Sequence, residues 1–292
     1  MSTLFDKIEL PTMPQVISRI MDIDEHKLDI SFDQLATIIS SDPGLISKIL
    51  KLANSPFYSR VNNVIDLNQA IKLLGFKSIK SLTLLVSISR LIPNVKQHTV
   101  IQNELWMRSI IKGLIAREIA IKTGHRKLAE SAFMAALMRN IGQLIIHSRF
   151  PTIYEDIFHQ SDNGLNYTKI GDLENEAFGI TTGEMTLSAM KKWNLPEELV
   201  TTAERRIDDT RSDAGGLPSI IACFSEVVLF INELTEKITL NDEKKDYFKG
   251  LFNEYSEKLS LEGPKKDYFI GKITSTFEDD NLYNFCEEIF SN

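Results

Sequence analysis

The sequence predicts an all-α protein, a multi-helix bundle, and three observations carry that reading. Glycine and proline are scarce, 14 and 9 in 292 residues. Apolar residues recur three and four positions apart, the spacing of a single helix face, rather than alternately. Capping residues fall where those runs begin and end.

The elements follow in order. After Leu10-Pro11-Thr12-Met13-Pro14, Val16, Ile17, Ile20 and Met21 make one apolar face. A second helix near Phe32 to Ser40 buries Leu35, Ile38 and Ile39. Asp42-Pro43 then supplies an N-cap and a proline at the first helical position, and Leu45, Ile46, Ile49, Leu50, Leu52 and Ala53 form the next buried stripe. Asn54-Ser55-Pro56 ends it. Asp66 caps a helix over Leu67 to Leu74, and Gly75 stands where a left-handed terminal residue is wanted. From Phe76 to Ile92, Thr83, Val86 and Ile88 would also suit a buried strand, but a run of 17 residues before Pro93 favours a helix.

Longer helices are expected next, one from about Val100 to Thr123, ended by Gly124, and another over Lys127 to His147, weak at Gly142 and stopped by Pro151. A polar stretch with Gly164 and Gly171 follows. Thr181-Thr182-Gly183-Glu184 has the capping-box spacing and opens a helix through Trp193, and Pro196 starts a short one reaching Arg206. A loop with Asp208, Asp209, Asp213, Gly215 and Gly216 precedes an apolar helix from Pro218 to Leu234.

Residues 236–292 differ in composition, holding 8 Lys+Arg, 13 Asp+Glu and ten of the 25 aromatics. That is too aromatic for a solvated linker. Lys244-Lys245-Asp246-Tyr247-Phe248-Lys249-Gly250 is echoed by Lys265-Lys266-Asp267-Tyr268-Phe269-Ile270-Gly271, but two copies do not make a repeat protein. The expected organisation is a main domain over 8–235 and, over 236–292, a helical appendage packed on it.

Composition excludes several classes of function. The net charge of −7 argues against general affinity for nucleic acid or anionic membranes. Cys223 and Cys286 alone make neither a disulfide framework nor a Cys-x-x-Cys site. Met1 to Glu9 has no apolar signal core and no apolar run approaches membrane-spanning length, so a soluble cytoplasmic protein is expected. Gly271-Lys272-Ile273-Thr274 has Lys266 where a phosphate-binding loop needs its first glycine, and neither a nucleophile elbow nor a dinucleotide fingerprint occurs. The five histidines, His26, His98, His125, His147 and His159, are scattered, and helix ends or the surface are their expected places. No catalytic residue, metal or cofactor is expected.

Four motifs carry a resemblance: Leu10-Pro11-x-Met13-Pro14; Ile38-Ile39-Ser40-Ser41-Asp42-Pro43; Leu50-x-Leu52-Ala53-Asn54-Ser55-Pro56-Phe57-Tyr58; and Gln69-Ala70-Ile71-x-Leu73-Leu74-Gly75. In this order and spacing they resemble the bacterial HDOD family, the HD-related output domains, and the likeness continues more weakly to about residue 235. The resemblance implies an HD-like helical bundle related to metal-dependent phosphohydrolases and used mostly in signalling or regulation. It also implies a degenerate site. Arg108 and Thr182 stand where such relatives tend to place histidines, Arg139-Asn140 replaces the His-Asp pair, and Arg205 and Arg206 lie at a helix end that is elsewhere histidine-rich. Glu226, near the place of a late aspartate, is the one oxygen ligand retained.

A guanidinium is always cationic and only donates, so it cannot ligate a metal ion. Metal-activated water is then unavailable to this site. Two readings of Arg108, Arg139, Arg205 and Arg206 remain. Planar guanidinium groups suit an anion such as a nucleotide phosphate. Alternatively each pairs with a neighbouring carboxylate, Glu104, Glu184, Glu204 or Glu226, and the cavity is closed, which is the expected case. For Asn54-Ser55-Pro56-Phe57-Tyr58 the expected role is a cap and aromatic staple, the alternative a recognition loop.

The function expected is therefore a non-catalytic signalling module that recognises a partner protein in trans, such as a kinase, response regulator or cyclic-dinucleotide enzyme as the resemblance implies. The alternatives are a residual metal-dependent phosphohydrolase and a DNA-binding regulator. For the latter, Asp33 to Asn54 reads as helix, turn, helix with Lys48 and Lys51 on the second helix, although two lysines beside Asp42 are few for phosphate contacts.

Overall fold

A computed structural model describes residues 10, 12, 15–23, 28–54, 64–93, 95, 98–162, 164, 167–204, 207, 216–236 and 242–261. The protein is all-α, with no strand among those residues. Its helices fall into two compact units, divided after Asn94.

In the first unit, α1 (Gln15–Met21), α2 (Leu28–Ser40), α3 (Pro43–Ala53) and α4 (Leu67–Ser89) bury the expected stripes, among them Ile17, Ile20, Leu35, Ile39, Leu45 and Ile49. The local signals act as anticipated. Asp42 Oδ1 accepts from the Leu45 N–H at 3.0 Å, with Pro43 opening α3. Asp66 Oδ1 accepts from the Gln69 N–H at 2.8 Å. Gly75 adopts φ +82°, a value that side chains disfavour, and divides α4 into two arms. The second arm is the stretch that also suited a strand. It is helical because it is buried nearly all round, in a helix that α1, α2 and α3 pack against, which is where a helix without a polar face belongs.

The second unit contains α5 (Thr99–Lys122), a 3₁₀ turn (Arg126–Leu128), α6 (Ala129–Met138), α7 (Ile141–Arg149), α8 (Pro151–Gln160), α9 (Tyr167–Phe178), α10 (Thr182–Lys192), α11 (Glu197–Glu204), α12 (Gly216–Glu236) and α13 (Asp242–Lys258). α5, α6 and α12 pack on one another along small residues, Ala116, Ala120, Ala132 and Ala136 among them. At Gly113 a Cβ would come within 2.9 Å of the Phe133 ring, so the approach of α5 to α6 requires glycine there. α13 packs on α12 through Phe224, Phe252 and Tyr255, and the Tyr255 hydroxyl donates to the Ile207 carbonyl at 2.9 Å. The second copy of the Lys-Lys-Asp-Tyr-Phe motif lies outside the described residues.

Two expectations need correction. The single helix over Lys127 to His147 is divided into α6 and α7, and the break is at Arg139-Asn140 rather than at Gly142. Pro151 does not only stop a helix; it opens α8, occupying the first position where its missing N–H is harmless. The polar stretch after it contains α8 and α9, the latter running through Gly171. From Lys169 onward α9 buries the narrow stripe Ile170, Glu174 and Phe178, and a buried glutamate hides that stripe from a reading of apolar spacing.

Candidate functional site

Arg139 ends α6 and lies in the break before α7. The Thr186 hydroxyl of α10 donates to the Arg139 carbonyl at 3.2 Å and accepts from the Gly142 N–H at 3.0 Å, fixing the turn to α10. Gly142 is required for that contact. A Cβ there would lie 2.3 Å from the Thr182 carbonyl oxygen.

From this turn the Arg139 side chain reaches Glu226 on α12, a residue only 2 % exposed. Arg139 Nε donates to Glu226 Oε2 at 3.2 Å, and Nη1 donates to the Thr202 carbonyl at 3.2 Å. The other carboxylate oxygen, Oε1, accepts from Lys112 Nζ at 3.3 Å. Burial pushes the Lys112 ammonium pKa down from its usual value, aided by the charges of Arg139 and Arg108, and Glu226 opposes that fall. Lys112 is absent from the sequence-level candidates, although it lies one turn beyond Arg108 and shares its face of α5.

Arg108 itself pairs with Glu104, Nη2 to Oε1 at 2.8 Å, and lies over the Phe158 ring at 5.3 Å from its centroid. Thr182 joins a different cluster. Its backbone N–H donates to Glu174 Oε2 at 2.7 Å, its hydroxyl donates to Glu174 Oε1, and the Tyr154 hydroxyl donates to the same Oε1 at 3.3 Å. Burial raises the Glu174 carboxyl pKa above its usual value in spite of these donors. Asn140 Nδ2 is buried without a hydrogen-bond partner. Arg205 and Arg206 lie outside the described residues.

Asn54 belongs to the first unit and closes the loop after α3. Its Nδ2 donates to the carbonyls of Leu50 at 3.0 Å and Val64 at 2.8 Å, while Oδ1 accepts from the Val64 N–H at 2.6 Å. Ser55, Pro56, Phe57 and Tyr58 lie outside the described residues.

A second ionisable cluster, unmarked by any sequence spacing, centres on α8. Glu155 on α8 accepts hydrogen bonds from two imidazoles, His98 Nδ1 at 2.9 Å and His147 Nε2 at 3.3 Å. Burial would raise the Glu155 carboxyl pKa, but the two imidazoles outweigh it and hold it below its usual value. His98, His125, His147 and His159 all stand at helix ends, but His147 is fully buried.

The donor set around Glu226 does not suit a divalent ion. Both carboxylate oxygens already hold cations of the protein, Lys112 and Arg139, and a guanidinium brings charge of the wrong sign. Among the described residues no group of three or more His, Cys, Asp or Glu is placed to hold a metal ion, and no helix is long and apolar enough to cross a membrane. What this arrangement does chemically is neutralise buried charge and tie α5, the α6–α7 turn and α12 together.

Comparison with known proteins gives a family-model match, HDOD domain, over residues 10–208. A Treponema pallidum (strain Nichols) protein of uncharacterized function is 22 % identical over 204 residues, 69 % of this chain and 38 % of its own length; the chain therefore spans well under half of that relative. A solved HDOD domain protein from Geobacter sulfurreducens superposes with a TM-score of 0.70 at 19 % identity, covering 97 % of this chain and 94 % of its own. A Shewanella amazonensis SB2B structure named for phosphohydrolase activity gives 0.63 at 21 %, covering 93 % and 97 %. One from Marinobacter aquaeolei VT8, named for signal transduction, gives 0.61 at 20 %, covering 94 % and 62 %. At these identities the likeness is one of fold.

Proposed function

The chain belongs to the HDOD domain family, and from that premise we propose that it is a non-catalytic signalling module that recognises a partner protein in trans. The observation that carries this reading is the Glu226 carboxylate bound on one side by Arg139 and on the other by Lys112. In an HD-type hydrolase the equivalent place serves an ion that activates water; here two side-chain cations take both oxygens of Glu226. The same pairing supports the closed reading of Arg139 over nucleotide-phosphate binding, because its charge is already matched by Glu226 and its Nε and Nη1 donate to Glu226 and the Thr202 carbonyl. The names of relatives of this fold, one for signal transduction and one for phosphohydrolase activity, are consistent with a lineage in which recognition outlived cleavage.

The test pairs two measurements. Purified protein is assayed for phosphodiester hydrolysis with manganese, iron or magnesium, with metal content determined alongside. Turnover that depends on metal and is lost in Glu226→Gln would defeat the proposal; an inactive protein that captures a signalling protein from its native cell on crosslinking supports it.

A further inference from the structure

Charge is unevenly spread along this acidic chain. Between Asp42 and Asn94 it carries seven Lys and Arg and two acids, Asp42 and Asp66. α3 presents part of that charge on one stripe. Leu45, Ile49, Leu52 and Ala53 face the core, whereas Gly44, Ser47 and Lys51 are exposed and Lys48 is half-buried beside them. Those positions are three or four apart and share a face.

Arg90, immediately after α4, adds a third cation to the stripe. Its guanidinium pairs with Asp42 at the α3 N-cap, and a Cβ on Gly44 would come within 2.9 Å of Arg90 Nη2, so the group lies against the first turn of α3. Lys48 lies close enough to Arg90 and Lys51 that, after burial, their like charges push its ammonium pKa down. Cations crowded this way repel one another, and a polyanion relieves that repulsion.

We propose that the α3 stripe bearing Lys48, Lys51 and Arg90 is a docking surface for the phosphate backbone of duplex nucleic acid. Ser47, small and exposed on the same face, leaves room for close approach of a backbone, and phosphate contacts of this kind position without reading sequence. α2 precedes α3 with only Ser41 and Asp42 between them, and in such a helix pair the second helix is the one that meets the groove. A membrane surface fits less well, since an interfacial helix needs large apolar side chains to insert and the stripe has none. This inference does not depend on the signalling role proposed above.

The test is fluorescence anisotropy of the full-length protein with a labelled duplex of about 20 base pairs, over a salt series from about 20 to 200 mM. The expected dissociation constant at the low-salt end is about 10⁻⁴ to 10⁻⁶ M. Replacing Lys48 and Lys51 together by Gln should weaken binding about tenfold or more and make the log–log salt dependence shallower by about two. Lys122→Gln, at an exposed site on α5 in the other unit, should change neither. The proposal is overturned by an absent anisotropy change at low salt, by a double variant that binds and responds to salt like the parent, or by polyglutamate or phosphatidylglycerol vesicles competing as well as duplex at equal charge.

Discussion

Arg139 Nε stands 3.2 Å from Glu226 Oε2, across 87 residues of sequence, and the opposite oxygen of the same carboxylate is held by Lys112. One buried anion thus serves two cations from two other elements, and the consequences of removing each partner differ. Glu226→Gln leaves Lys112 and Arg139 as buried like charges, whereas Lys112→Met leaves Glu226 with Arg139 and its burial unchanged. Urea denaturation should show a loss of about 3–5 kcal/mol for Glu226→Gln and about 1 kcal/mol or less for Lys112→Met. Equal, small losses would mean that the pairing in the structure does not hold in solution.

The close approach of α7 to α10 makes a second contrast. At Gly142 a Cβ would lie 2.3 Å from a backbone oxygen that cannot swing away, while at Gly171, within α9, it would meet nothing within 4 Å. Gly142→Ala is expected to destabilise by about 2–4 kcal/mol through forced separation of the helices. Gly171→Ala should stabilise by about 0.5–1 kcal/mol, because alanine loses less backbone freedom in a helix. Thermal unfolding of the two variants with the parent decides both signs at once.

His147 imposes a pH dependence whose direction follows from its surroundings. Burial pushes its imidazole pKa below the usual 6.5, against the pull of Glu155 and with the added repulsion of His98. With Nε2 donating to Glu155, Nδ1 is a buried lone pair without a hydrogen-bond partner, and protonation would turn it into a buried, unsatisfied donor. The folded state therefore binds this proton less readily than the unfolded state. Stability from this group is complete above about pH 6.5 and falls as pH drops below that value toward the folded pKa. Urea midpoints between about pH 5 and 7.5 should decline on acidification, and His147→Gln, whose amide can still donate to Glu155, should flatten that decline. A slope unaltered by the substitution would assign the effect elsewhere.

The helix starts legible in the sequence are those fixed within a few residues. Asp42, Asp66 and Thr181 cap the helices that their spacing announces, and Gly75 takes the positive φ that its position calls for. The break at Arg139-Asn140 has no such local cause, since neither residue is a strong helix breaker. It depends on Thr186, which arrives from 47 residues away to bind the Arg139 carbonyl. The same limit applies to the site. Glu104 and Glu226 are legible as candidate partners for Arg108 and Arg139, but Lys112 reads as an ordinary exposed lysine on α5. Only the proximity of α12 shows it to be buried, with a side chain 6 % exposed. The burial of Glu174 and His147 is illegible for the same reason: polar residues that face inward interrupt the apolar pattern from which the core is read.

Asn54 carries three hydrogen bonds with one side chain, to Leu50 at the end of α3 and to both backbone groups of Val64 at the entry to α4. The amide is needed on both sides: Oδ1 accepts from an N–H while Nδ2 donates to two carbonyls, so neither a carboxylate nor an alkyl group can replace it. Asn54→Asp turns the donor into an acceptor facing two carbonyl oxygens, and Asn54→Ala leaves the Val64 N–H and carbonyl to find other partners. Both variants should lose about 2–3 kcal/mol in chemical denaturation, and Asp should be no better than Ala despite its similar shape. If Asn54→Asp retained parental stability, the residue would act only as a helix terminus and not as the clasp between α3 and α4.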